Sequence, residues 1–125
     1  MNTFNKEDAI LEYEEEENIL VTKGQNIYLK ADKNRWLFPN FPTDIKIGLH
    51  LRIPDDCVAL LVKSVYLDTN IQLDTRIIHD DQKISYLRIM HRGLFPTKIS
   101  KHEIIAELII IPKVECHIIN SKGQA

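Results

Sequence analysis

Glycine and cysteine are scarce in this 125-residue chain, and their placement excludes several chemistries. The four glycines stand at 24, 48, 93 and 123, so no Gly-rich loop exists to cradle a phosphate or a dinucleotide. Two cysteines, Cys57 and Cys116, are too few for a disulfide framework and share no metal-ligand spacing. They are expected to be reduced, in an intracellular protein. The histidines at 50, 79, 91, 102 and 117 form no i, i+4 ligand pair, so no metal ligands are assigned. No apolar run approaches the ~18 residues of a membrane span, and no membrane partner is expected. The acidic start, Met1 to Glu17, reads as neither a signal nor a transit peptide. With 44% hydrophobic and 27% charged residues, the chain has the composition of one globular domain.

The net charge of −2 hides an asymmetry. Residues 1–20 hold Lys6 against seven carboxylates, a balance of −6, and the remaining residues sum to +4. A mildly basic body over 19–125 therefore carries an acidic N-terminal arm over 1–18, expected to be flexible. Three readings of the arm stand. It is a solvated tail; it lies across the basic body through salt-sensitive pairing; or Glu14 to Glu17 dock a basic partner.

From Ile19 onward the pattern has period two. In Ile45-Lys46-Ile47-Gly48-Leu49-His50-Leu51-Arg52-Ile53 five apolar residues alternate with polar ones or glycine, which predicts a strand with one buried face. Pro54-Asp55-Asp56 ends it. Further strands are predicted over 27–30, 36–38, 57–66, 71–73, 76–78, 84–90, 104–111 and 114–119, with 91–96 a loop. Many short strands and no convincing helix imply an all-β fold, a sandwich or small barrel.

The chemistry-bearing candidates are few. His79-Asp80-Asp81 reads as a polar turn, with a carboxylate–imidazole or cation site the minor alternative. Cys57 reads as a small core residue, and Ser64 and Ser85 have no activating sequence neighbour. Trp36, Phe38 and Phe41, behind Arg35, read as core packing rather than a stacking platform. Residues alone specify no reaction.

Three stretches, in order, resemble the trimeric dUTPase superfamily over about two thirds of the chain. Gly48-Leu49-His50-Leu51-Arg52-Ile53-Pro54 is similar to the family's TGIxIxIP strand. Ile77-Ile78-His79-Asp80-Asp81-Gln82-Lys83 sits where the family has its VIDxDYR hairpin. The run Ile99 to Leu108 matches IxxGDRIAQL residue for residue in length, with Phe95 before it and Pro112 after it. The resemblance implies a jelly-roll-like β fold and a homotrimer, an assembly that would also cover exposed sheet edges.

The same alignment implies lost chemistry. His79 falls where the family's hairpin Asp orients the attacking water; Gln82 replaces the Tyr beneath the deoxyribose, Lys83 and Ile84 replace Arg and Gly, and Asp81 alone is retained. The phosphate-gripping PRSG segment maps near Lys63-Ser64-Val65-Tyr66, and the loop from there to the hairpin is shorter. The Gly-rich C-terminal arm has no counterpart in Ile118 to Ala125. Loss of a catalytic base alone costs a factor of about 10²–10⁴ in rate, and the phosphate grip is altered as well.

The layout is nearest to degenerate viral members, similar to the adenovirus early-region-4 first-reading-frame proteins, which bind host signalling or polarity proteins. The PDZ-binding end of those proteins is not carried over to Lys122-Gly123-Gln124-Ala125. The expectation is a non-catalytic viral regulator of host proteins in the host cytoplasm or nucleus, without cofactor. Its candidate surfaces are Lys46, His50 and Arg52, or Arg92, Leu94 and Phe95. The alternative is residual dUTP or dNTP binding, or weak Mg²⁺-dependent pyrophosphatase activity, on Lys63, Ser64, His79, Asp81, Gln82 and Lys83. A third reading, nucleic-acid binding by the basic body with the arm as autoinhibitor, is the least favoured.

Overall fold

The computed structural model describes residues 2–6, 9–13, 19–21 and 26–113. The strand expected over 114–119, the run Glu14 to Glu17, Cys116 and the 118–125 segment lie outside them. Among the described residues the fold is all-β. One five-stranded sheet runs in the order β1 (Asn2–Lys6), β2 (Ala9–Tyr13), β6 (Pro42–Arg52), β10 (Gln82–His91), β8 (Ile71–Leu73). A second runs β3 (Ile19–Val21), β4 (Ile27–Lys30), β12 (Ile104–Pro112), β7 (Cys57–Lys63), β9 (Arg76–Ile78). A two-stranded ribbon pairs β11 (Thr97–Ile99) with β5 (Arg35–Leu37). Every strand pairing is antiparallel.

Period two drives the packing. Ile45, Ile47, Leu49 and Leu51 of β6 join Ile84, Leu87 and Ile89 of β10, Ile27 and Leu29 of β4, Leu61 of β7 and Leu108 of β12 in one buried cluster. Each such side chain contributes about 1.5–3 kcal/mol relative to exposure. Cys57 is buried in the same core, as its apolar neighbours predict.

Two irregularities break the alternation. The β6–β10 register shifts between Ile84 and Tyr86, so Ile47 and Gly48 together oppose Ser85. Gly48, with φ 62°, supplies the left-handed residue that such a bulge needs. A second shift, between Ile104 and Ala106, turns both Ile105 and Ala106 into the core. The turn before β12 has His102 at φ 68°, where the family pattern carries its glycine.

Three expectations are corrected. The strand over 57–66 stops at Lys63, because Ser64 to Leu67 close a turn through Leu67 N–H donating to the Ser64 carbonyl (3.2 Å). Part of the acidic arm is built structure, since β1 and β2 form a hairpin and β2 pairs with β6 from Ile10↔Arg52 to Tyr13↔Leu49. Trp36, Phe38 and Phe41 are not core: they are 60%, 55% and 64% exposed. Leu37, between two of them, takes the inward position of the short β5 strand, which turns Trp36 and Phe38 to solvent.

Candidate functional site

The six degenerate nucleotide positions do not converge within one chain. Pairing of Ala59 with Ile78 and of Leu61 with Arg76 places His79 opposite Val58. Lys63 lies five residues along β7, about 16 Å away at ~3.3 Å per residue. Three of the six are also engaged locally. Asp81 Oδ1 accepts the Ile53 N–H (3.1 Å), tying the hairpin to the end of β6. Ser64 is buried; its Oγ accepts the Tyr66 N–H (3.0 Å) and its own N–H donates to the Ile105 carbonyl (3.0 Å). The Lys63 ammonium donates to the Asp68 carbonyl (2.7 Å). His79, Gln82 and Lys83 are exposed.

Among the described residues no group of three His, Cys, Asp or Glu side chains could hold a metal ion, His79-Asp80-Asp81 included. A surface cavity of about 120 Å³, lined by Gln72, Asp74, Arg88, Ile89, Met90 and Arg92, is well below the ~300 Å³ at which ligand pockets begin.

The first predicted surface lies on the outer side of β6. Lys46 and Arg52 are exposed and His50 is half-buried. Lys83 of β10 pairs with His50, so a degenerate nucleotide position joins this basic face. Glu12 of β2 covers part of it, with Oε1 3.2 Å from Arg52 Nη2 and Oε2 3.7 Å from His50 Nδ1. One carboxylate of the acidic arm thus lies across the basic body, as the second reading of that arm expects. Further along, Asp44 and Arg88 form an exposed fork at 2.9 and 3.3 Å. The Arg88 hydrogen bond holds the Asp44 carboxyl below its ordinary range, and Asp44 in turn raises Arg88.

The second surface joins two segments. Leu94 and Phe95, in the loop after β10, are 88% and 78% exposed. That loop is pinned to the turn carrying Phe38 and Phe41. Asn40 N–H donates to the His91 carbonyl (2.7 Å), and Arg92 Nη1 donates to Asn40 Oδ1 (3.1 Å). The buried His91 imidazole holds the loop from within: Nε2 lies 2.6 Å from the Phe95 carbonyl, and Gly93 N–H donates to Nδ1 (3.4 Å). A carbonyl only accepts, so Nε2 carries the proton and Nδ1 its lone pair. Register places Lys98 of β11 beside Trp36 of β5. The structure therefore brings the predicted Arg92, Leu94 and Phe95 together with the three aromatics that sequence reasoning assigned to the core.

No family model matches the chain, and no curated protein matches it. Solved structures do. A mutant of the Staphylococcus bacteriophage 80alpha dUTPase with dUpNHpp superposes with a TM-score of 0.70 at 15% identity, covering 94% of this chain and 98% of that one. The dUTPase from phage phi11 of S. aureus, in a structure that concerns coordination of a structural Mg(II) ion, gives 0.69 at 13% identity over 91% and 96%. The EIAV dUTPase gives 0.70 at 13% identity over 89% and 97%. The chain has the fold of the dUTPases, as the ordered motifs imply.

Proposed function

We propose that this chain is a dUTPase-fold protein of viral origin that has left nucleotide hydrolysis and acts as an interaction module on host proteins, inside the host cell. One observation carries the reading: three of the polar residues at the nucleotide positions serve the scaffold. Asp81 holds Ile53, Ser64 caps its own turn, and Lys63 closes on Asp68. Where the resemblance puts the family's water-orienting Asp, the hairpin presents an exposed His79.

Two further observations support it. Large apolar side chains stand exposed around Trp36 and Phe95, and patches of that kind mark interaction sites. The fold neighbours come from phages and from EIAV, and work on the 80alpha protein describes phage dUTPases as controlling transfer of virulence genes, a regulatory role on this fold.

Copies of the chain have a place to meet. The outer face of the second sheet sets Leu60 between Ile109 and Ile77, and Val58 against Ile111. Ile77 and Ile111 are 61% and 38% exposed. An apolar sheet face of this kind supports the homotrimer that the resemblance implies.

The test is thermal unfolding with and without millimolar dUTP and Mg²⁺. A ligand that binds only the native state raises Tm, so an unchanged Tm is expected. A saturable rise would favour the alternative, a residual nucleotide site, which would then need two copies to bring Lys63 and His79 together.

A further inference from the structure

We propose that the surface formed by Trp36, Phe38, Phe41, Leu94 and Phe95 binds an acidic, apolar peptide segment of a partner protein. The proposal deepens the interaction reading above and rests on it.

Size is the first argument. At 55–78% exposure the four aromatic rings stand well clear of the body. With 150–250 Å² per aromatic side chain, they expose roughly 400–600 Å² before Leu94 is added. That reaches the upper end of the largest patch on a typical monomer, about 300–600 Å².

Rigidity is the second. Asn40, with φ 59°, sits in a turn closed by Phe41 N–H donating to the Phe38 carbonyl (3.1 Å). The turn is bonded to His91, and His91 fixes the Phe95 carbonyl. Trp36 stands on a paired strand. Anchors held in place before binding lose little freedom on docking, which favours affinity.

Charge selects the partner. Segments 32–44 and 88–101 carry Lys33, Arg35, Arg88, Arg92, Lys98 and Lys101 against Asp32 and Asp44, and Asp74 lies in the cavity beside Arg88 and Arg92, which leaves a local excess of three positive charges on a chain whose net charge is −2. An acidic segment is drawn to such a surface and a basic one is repelled. A peptide fits better than a polynucleotide. Three of the cations are already engaged, Arg35 with Asp32, Arg88 with Asp44, and Arg92 with Gln72 and Asn40. A nucleic-acid backbone draws its affinity from many cations free to neutralise phosphates. Clustered aromatic and leucine anchors beside arginine instead suit the centre of a protein contact.

Trp36 is the single tryptophan of the chain, so its fluorescence reports occupancy of this surface directly. The probes are a 12-residue peptide alternating Glu with Leu and Phe, the same peptide with Lys for Glu, and single-stranded oligo-dT of 12 nucleotides. The acidic peptide should shift Trp36 emission to the blue and saturate, with affinity falling as salt rises. Phe95→Ser and Lys98→Glu should each weaken binding at least fivefold without moving Tm. The Lys peptide should bind at least tenfold more weakly. No saturable change, equal binding of the two peptides, or tighter binding of oligo-dT would overturn the proposal. So would an emission shift on raising protein concentration alone, which would make a second copy the occupant. Pyrophosphate release from dUTP on the same preparation separates the two claims. Turnover refutes the non-catalytic reading whatever the peptides do, whereas silence in both assays removes only this surface.

Discussion

Gly93 and His91 should be energetically coupled, because the loop backbone rests on the face of the imidazole. A Cβ added at Gly93 would lie 2.5 Å from His91 Cε1 and 2.8 Å from Nε2. The ring cannot swing aside cheaply: it is 3% exposed and held at both nitrogens, by the Phe95 carbonyl and by Gly93 N–H. Gly93→Ala therefore forces the loop outward and should cost about 1–3 kcal/mol, as overpacking does elsewhere. For a domain of this size each kcal/mol corresponds to about 3–5 °C in Tm. His91→Ala removes two hydrogen bonds and should itself cost about 1–3 kcal/mol. In that background the added methyl has space, so Gly93→Ala should cost less than ~0.5 kcal/mol. The cycle should yield a coupling energy of about 1–2 kcal/mol, measured by urea unfolding of the four proteins. An equal Gly93→Ala loss in both backgrounds would refute the reasoning.

Three further predictions address the frame and its charges. Gly48→Ala puts a side chain at φ 62° in the β6 bulge and should cost about 1–2 kcal/mol in the same urea assay. Glu12→Gln breaks the contacts to Arg52 and His50 and should cost at most about 1 kcal/mol at low ionic strength, an effect that disappears in 1 M salt. The depressed Asp44 carboxyl adds stability that is present above its unfolded-state value and lost as pH falls through the lower folded-state value. The stability difference between wild type and Asp44→Asn should therefore narrow on acidification, measured as Tm across the acid range.

The alternating run in β6 needed only its period to be read as a strand, and its inward residues are the buried ones. The β10 strand was legible in extent but not in facing, because the bulge at Gly48 leaves Ser85 and Tyr86 both exposed and no local pattern announces that shift. The hairpin of β1 and β2 was hidden by the adjacent carboxylates, whose repulsion argues for a tail; the hairpin pairing, the pairing of β2 with β6 and the Arg52 guanidinium beside Glu12 outweigh it over residues 2–6 and 9–13. The aromatic cluster failed for a different reason. In a three-residue strand the sequence does not say which parity faces inward, and Leu37 rather than Trp36 took the core. Arg92, Leu94 and Phe95 were legible as a surface, but their union with Trp36, Phe38 and Phe41 rests on hydrogen bonds spanning about fifty residues, from Asn40 to His91 and Arg92.

The most direct test of the central claim is a pyrophosphate-release assay with dUTP, dCTP and dTTP plus Mg²⁺ on the intact chain, its folding checked by cooperative unfolding. The predicted result is no release above the no-protein control for any of the three. Saturable dUTP turnover that His79→Ala abolishes would contradict it, and would mean that the hairpin still directs water to a phosphate.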